Sequence, residues 1–312
     1  MQRQTRAGLP TRAALHPSGL HLVLKDIAVS ELQDPFMQQT VTRTQAPERI
    51  VSIEPDKIGE TDPATAPAGV IFHVGRCGST VLSQALKQLD NVAVYSEPLP
   101  FNELLSPPAG TRQEVTRALR SIGAAFAAHA GRPYVVKFSS WTTLFADVIA
   151  DAFPQSAWLF CVRDPVEVGE AVLRDPPPWF RGESEPARHI RSIVGASGQS
   201  ASEEDYFARV YAAFCDTVLR LDPKHGQLVR YEQLSQALSA APAHFGIPVD
   251  ATQAQRMHES TQRYAKAPLG QPAAFSPDAA AKQASASAEL RRAVDAVARP
   301  ALERVRKALD RR

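Results

Sequence analysis

The stretch from Gly69 to Leu89, GVIFHVGRCGSTVLSQALKQL, constrains the fold more than any other part of the chain. Val70, Ile71, Phe72 and Val74 form a short apolar run rich in β-branched and aromatic residues, as a buried parallel strand requires. Gly75 and Gly78 follow and permit a tight turn that other residues would strain. Ser79 and Thr80 stand where a helix should begin, and Val81, Leu82, Ala85, Leu86 and Leu89 recur at helical spacing. A strand that delivers a glycine turn onto a helix N-terminus makes an anion site. Unpaired backbone N–H groups and the positive end of the helix dipole both face the ligand, and Arg76 adds a full positive charge.

From Gly69 onward, strand-like and helix-like segments alternate, which is the pattern of an α/β domain. Further strands are expected at Val92–Tyr95, Tyr134–Phe138, Ala157–Val162 and Leu228–Tyr231. Helices are expected over 111–130, 142–152, from Pro165, over 203–221 and again in the charged stretch from about 287. The expected architecture is a three-layer α/β/α domain with a mostly parallel central sheet of about five strands. Residues 69–312 would form it, with a helical C-terminal part. Residues 1–68 read as an N-terminal extension with little independent core, in which 20–29 has strand character and 30–68 is polar and turn-rich. Residues 174–201, rich in Pro, Gly, Ser and Arg, read as a long loop or lid.

The 312 residues carry a formal net charge of +2, so attraction for an anionic ligand has to be local, and nucleic acid is not an expected partner. Cys77, Cys161 and Cys215 are scattered, lack metal-ligand spacing and suit a reducing compartment. The N-terminus lacks an apolar core of signal-peptide length, and no window approaches the roughly 18 apolar residues of a membrane span. A soluble, cytoplasmic protein without a metal or a membrane partner is expected.

In doubly wound sheets, ligands bind at the carboxyl ends of the strands. Arg76, Glu97, Ser139, Ser140 and Arg163 all follow expected strand ends. The turn HVGRCGST is not a Walker A loop, because no lysine precedes Ser79, and it does not match G-x-G-x-x-G either. Left to the residues alone, it is an anion-binding turn or a plain strand-to-helix connection with a surface arginine. Arg163 is likewise an anion ligand or the partner of Asp164 or Glu167.

Three segments together resemble the sulfotransferases that use 3′-phosphoadenosine-5′-phosphosulfate. In RCGST the resemblance puts the family's phosphosulfate loop on Arg76, Cys77, Gly78, Ser79 and Thr80. In LFCVRDPVEVGEAVL it puts the 3′-phosphate arginine on Arg163, while Ala171 stands where the family usually carries a serine. LVRYEQL, residues 228–234, is similar to a late strand segment in which Tyr231 and Glu232 are mainly structural. A looser match, QRYAK, places Arg263 and Lys266 near the donor's 3′-phosphate, or equally on a solvated helix end.

The resemblance covers about 69–235 well and 236–270 loosely, and it implies a P-loop-like sulfotransferase architecture with phosphosulfate as co-substrate and a small-molecule acceptor. The proton-accepting residue it implies is Glu97, by analogy with branches that use a carboxylate after the second strand. The histidine many cytosolic members carry after the third strand is absent here, where Lys137, Ser139 and Ser140 stand. Lys137 is a candidate sulfonate or acceptor ligand, and His73 reads more readily as a core residue than as a base. Trp141, Trp179 and Phe180 are stacking or packing aromatics. Arg181, Arg188, His189 and Arg191 make either a basic lid or a solvated face. The alternatives are a P-loop small-molecule kinase using ATP, which the missing Walker lysine opposes, and a non-catalytic ligand-binding member of the same fold.

Overall fold

The computed structural model describes residues 7–195, 202–261 and 278–309. Its centre is a five-stranded parallel sheet made of β4 (Gly69–His73), β5 (Ala93–Ser96), β6 (Tyr134–Lys137), β7 (Ala157–Val162) and β8 (Gly226–Arg230), in spatial order β5-β6-β4-β7-β8. β4, β5 and β6 are buried at every residue. Alternate side chains of a strand face opposite sides of its sheet, so complete burial means that both faces are covered by helices. The expected three-layer α/β architecture and all five expected strands are therefore present. β4 lies in the middle, with the chain running first to β5 and β6 on one side and then to β7 and β8 on the other. Crevices open at the carboxyl ends of the strands beside such a reversal.

Each helix has a local cause. α2 (Ser79–Leu86) starts at Gly78 and buries Leu82, Ala85 and Leu86. α3 (Leu99–Leu105) follows β5 directly. α4 (Arg112–Ala130) opens with a capping box. The Thr111 hydroxyl accepts from the Glu114 N–H at 3.3 Å, and the Glu114 carboxylate accepts from the Thr111 N–H at 2.8 Å. The helix ends where Gly131 turns left-handed. A 3₁₀ stretch over Ser140–Phe145 leads into α5 (Ala146–Ala152). α6 (Pro165–Arg174) begins with proline in the favoured first position, and the Asp164 carboxylate accepts from the Val166 N–H at 2.9 Å.

The long stretch expected as a loop contains α7 (Glu185–Ile193), which is a correction. Ser184 caps it, Pro186 lies in its first turn, and Ala187 and Ile190 are buried on one face. α8 (Glu203–Val218), α9 (Leu234–His244) and α10 (Ala251–Ser260) follow. α11 (Ala279–Ser285) and α12 (Ala288–Ala293) lead through a π turn at Val294–Ala298 into α13 (Arg299–Leu309), and α13 packs on α8. No described helix is long and apolar enough to cross a membrane.

Residues 9–53 form a second, antiparallel sheet of β1 (Leu9–His16), β2 (Gly19–Lys25) and β3 (Glu48–Ile53), with α1 (Met37–Arg43) between the last two strands. The segment read as polar and turn-rich thus contains a helix and a strand. β3 is an edge strand whose apolar residues are weakly buried, with Ile50 72% exposed and Val51 and Ile53 half-buried against the core, and it pairs through its backbone with β2. Leu9, Ala13, Leu20, Leu22 and Leu24 face inward and join the same apolar core as the main sheet. β1 lies against α3 and α4, where the Glu103 carboxylate accepts from the Ala13 N–H at 2.7 Å.

Candidate functional site

The turn after β4 is shaped by its backbone. Gly75 has φ 82°, Arg76 φ 50° and Gly78 φ 83°. Three of four consecutive residues are left-handed, which is costly for any side chain but glycine's. At Gly78 the space is also closed, since a Cβ there would lie 2.9 Å from Leu234 Cδ2 and 3.1 Å from Tyr231 Cδ2. The 231–234 segment therefore lies directly on the turn, in keeping with a structural role for Tyr231. Beyond it, Ser79 and Thr80 open α2 and are both buried. The first amides of any helix lack intrahelical acceptors, so this turn presents N–H groups at a positive dipole end. Cys77 is buried, and desolvation pushes its thiol above the usual range, so it is inert bulk inside the turn. Arg76 reaches across to the end of α6, where Asp175 accepts at 2.6 Å through its carboxylate and at 2.8 Å through its backbone carbonyl.

A second cluster forms at the ends of β5 and β6. Glu97 follows β5 with φ 53°, and its N–H donates to the Lys137 carbonyl at 2.6 Å. Strand register sets Ser96 opposite Lys137, which brings the Lys137 ammonium to 2.5 Å from Glu97 Oε1. Lys137 is fully enclosed, and its ammonium lies 5.2 Å from the centre of the Phe36 ring, a residue of the N-terminal segment. The Glu97 side chain keeps 27% exposure.

His73, at the end of β4, has Nε2 3.8 Å from the Glu97 carboxylate. Its Nε2 is 2.9 Å from the Phe138 carbonyl, and its Nδ1 accepts from the Gly75 N–H at 3.1 Å. A donor on one nitrogen and an acceptor on the other describe a neutral ring bracing the turn. Ser139 accepts from Asn102 Nδ2 at 3.0 Å, and Ser140 lies against Gly75.

The third cluster lies at the end of β7, next to β4 in the sheet. Arg163 is 4% exposed. Its Nε donates to Glu167 at 2.6 Å and its Nη2 to Asp278 at 2.8 Å, while the Tyr231 ring covers its guanidinium at 4.0 Å. Both hydrogen-bonded acids hold its pKa above the ordinary guanidinium value, against desolvation, the largest single effect. Tyr211 donates to the Arg163 carbonyl at 2.8 Å. Asp164 caps α6 and meets Arg299 at 3.2 Å, so it fixes helices rather than facing a ligand. Ala171 is buried within α6 and offers no hydroxyl.

The structure thus gathers Arg76–Thr80, Glu97 and Arg163 at one edge of the sheet. Arg263 and Lys266 lie outside the described residues. Sequence reasoning missed Asp278, Lys282 and Asp175. The spacing of Asp278 and Lys282 is that of a helical ion pair, and this was the one available signal.

In 174–195 the aromatics and Arg191 pack, whereas Arg174, Arg181 and Arg188 are exposed. Trp179 stacks edge-on to Phe180 and Phe214, Arg181 pairs with Glu203, and Arg191 lies over the Tyr206 ring at 4.3 Å. Among the described residues no group of three or more His, Cys, Asp or Glu is arranged to hold a metal ion.

No protein-family model and no curated protein matches the chain. Solved structures do resemble it in fold, several sulfotransferases among them. The sulfotransferase domain from the curacin biosynthetic pathway is 15% identical, with a TM-score of 0.43, and the match covers 74% of this chain and 97% of that one. A sulfotransferase from Alicyclobacillus acidocaldarius is 18% identical, covers 79% and 96%, and has a TM-score of 0.48. Mouse sulfotransferase SULT7A1 complexed with PAP is 15% identical, covers 66% and 67%, and has a TM-score of 0.35. At these identities the chemistry of the site rests on its own strand-end geometry.

Proposed function

We propose that the chain is a sulfotransferase that moves a sulfonate group from 3′-phosphoadenosine-5′-phosphosulfate to a hydroxyl or amine of a small-molecule acceptor. The supporting observation is backbone strain. Arg76 and Glu97 are the non-glycine residues with positive φ among the described residues. Each conformation costs about 1 kcal/mol or more. The two lie at the ends of β4 and β5 along one sheet edge, and they are a cation on an anion-binding turn and a carboxylate with partial solvent access. Strain kept, among the described residues, at two chemically complementary side chains is the mark of a site.

In this reading the turn amides, Ser79, Thr80 and Arg76 hold the donor's phosphosulfate. The acceptor oxygen or nitrogen attacks sulfur in line. The bond between sulfur and the bridging oxygen breaks, and 3′-phosphoadenosine 5′-phosphate leaves with the electron pair. Arg76 meets the charge that grows on that phosphate. Glu97 takes the proton released by the nucleophile. Lys137 fixes the carboxylate. Arg163 faces the 3′-phosphate. Donor binding exchanges Asp175 for donor oxygens on Arg76, since one guanidinium edge cannot serve both.

The test is incubation with isotope-labelled phosphosulfate and a broad pool of small hydroxyl and amine acceptors, read by mass spectrometry for a labelled sulfonate on an acceptor. Transfer by the native chain and its loss by at least about a hundredfold in Arg76→Ala are expected. Full transfer by Arg76→Ala, or labelled product from ATP in place of phosphosulfate, would overturn the reading.

A further inference from the structure

Arg163 is one of two enclosed cations at the end of β7. Lys282, on α11, is 5% exposed. Its ammonium lies 2.7 Å from Asp278 Oδ2, while Arg163 Nη2 lies 2.8 Å from Asp278 Oδ1. One carboxylate is therefore held on both oxygens by two cations that are almost wholly shut away from water. The Asp278 side chain itself remains 46% exposed. Glu167 takes the remaining edge of Arg163, and Gln283 donates to both Glu167 and Asp164, so α11 is fastened along α6.

The charges sum to neutrality only while Asp278 stays, with Arg163 and Lys282 against Glu167 and Asp278. A lysine in an ordinary helical ion pair lies on the surface and gains little from its partner. Enclosing this one costs far more, and the cost is met only by an anion at the position of Asp278. If that carboxylate swings out to solvent, two converging donors and one uncompensated positive charge remain. Two donors set to grip two oxygens of one anion suit a phosphoryl group as well as they suit a carboxylate.

We propose that Arg163 and Lys282 form a two-cation phosphate subsite, and that the Asp278 carboxylate occupies it until a phosphoryl group displaces it. The proposal rests on the sulfonate-transfer reading, in which that group is the donor's 3′-phosphate. Lys282 then supplies the contact that Ala171 cannot, from a helix beyond the part of the sequence that resembles sulfotransferases. Asp278 makes the empty site electrically neutral, and it competes with the ligand.

The experiment is calorimetric titration of the full chain with 3′-phosphoadenosine 5′-phosphate and with AMP, which lacks the 3′-phosphate. Native protein, Lys282→Gln, Lys282→Arg and Asp278→Asn are compared. Loss of one charged hydrogen bond in Lys282→Gln should weaken the bisphosphate about ten- to a hundredfold and leave AMP unchanged. Lys282→Arg should restore most of the loss, and Asp278→Asn should tighten the bisphosphate by about threefold or more, since the competing anion is gone. Native protein that prefers the bisphosphate, with Lys282→Gln unchanged or Asp278→Asn unchanged or weaker, would overturn this proposal alone. Native protein that binds both nucleotides equally would overturn the sulfonate-transfer reading and this proposal with it. If Lys282→Gln proves unfolded by scanning calorimetry, the Asp278→Asn titration decides.

Discussion

Glu97 and Lys137 illustrate how a single pair serves both fold and chemistry. The ammonium is fully enclosed and sits 2.5 Å from the carboxylate, whose own backbone is held left-handed by the hydrogen bond to the Lys137 carbonyl. Removing one partner strands the other. Glu97→Gln should therefore lower stability by about 2 kcal/mol, below the 3–5 kcal/mol typical of a fully buried pair because Glu97 is partly solvated. The double variant Glu97→Gln/Lys137→Met should recover most of that loss in urea unfolding, and an additive double-mutant cycle would contradict the pairing. If Glu97 takes the proton, transfer by Glu97→Gln should fall about 10²- to 10⁴-fold while binding of 3′-phosphoadenosine 5′-phosphate holds, so the two losses separate. At this scale the sequence named residues better than contacts. Arg76, Glu97 and Arg163 were legible because glycine spacing and strand ends mark them. Their acidic partners Asp175 and Asp278 were not, because local spacing can pair Asp278 with Lys282 but says nothing of which distant arginine a carboxylate at a helix end will meet.

The elements of the main sheet were legible for the reason that its strands are buried on both faces: a parallel strand writes itself as an unbroken apolar run. β3 and α7 were not, and the causes differ. β3 has no fully buried residue: Val51 and Ile53 are only half-buried against the core and Ile50 is exposed, so its short apolar content, set among charged and turn-forming neighbours, becomes a strand only by pairing with β2. α7 lies in a stretch of prolines, serines and arginines whose composition reads as loop, although Ser184 and the spacing of Ala187 and Ile190 were capping and amphipathic signals. The N-terminal sheet shows the same dependence on tertiary context. It adds its apolar face to the main core, and Glu103 of α3 anchors β1 by accepting the Ala13 N–H and the Arg12 guanidinium. Glu103→Ala should cost about 1–2 kcal/mol, mostly from the orphaned Ala13 amide, since Arg12 is exposed and contributes little. The loss should appear in urea unfolding together with faster hydrogen exchange over residues 9–25, and unchanged exchange there would show that packing alone holds the sheet.

For the whole molecule, the seam between the two sheets is where pH should act. Lys87, near the end of α2, donates to the Asp34 carbonyl at 2.5 Å and so ties the N-terminal segment to the main domain. Burial, set against attraction to Asp34 and joined by repulsion from the Lys137 charge, pushes its pKa down to about 7. Asp34 is a strong partner because Thr40 and Arg43 hold its carboxylate ionised, at 2.7 Å and 2.8 Å, and lower its pKa against desolvation. The direction of the linkage follows from proton counts. Between about pH 7 and the ordinary lysine value of 10.5, the unfolded chain binds the Lys87 proton and the folded chain largely does not. Stability from this group therefore rises with pH across that window. Below pH 7 the folded protein carries the enclosed charge, and the full penalty applies. Lys87→Met keeps the stem's packing and removes the charge. It should stabilise the protein at pH 6 by about 1–2 kcal/mol, less than an unscreened shift implies, because part of the side chain still meets water. That advantage should shrink as pH climbs toward 10. Urea midpoints of the native chain and Lys87→Met at pH 6, 8 and 10 measure it, and a gain that is constant or grows with pH would contradict an enclosed ammonium at the seam.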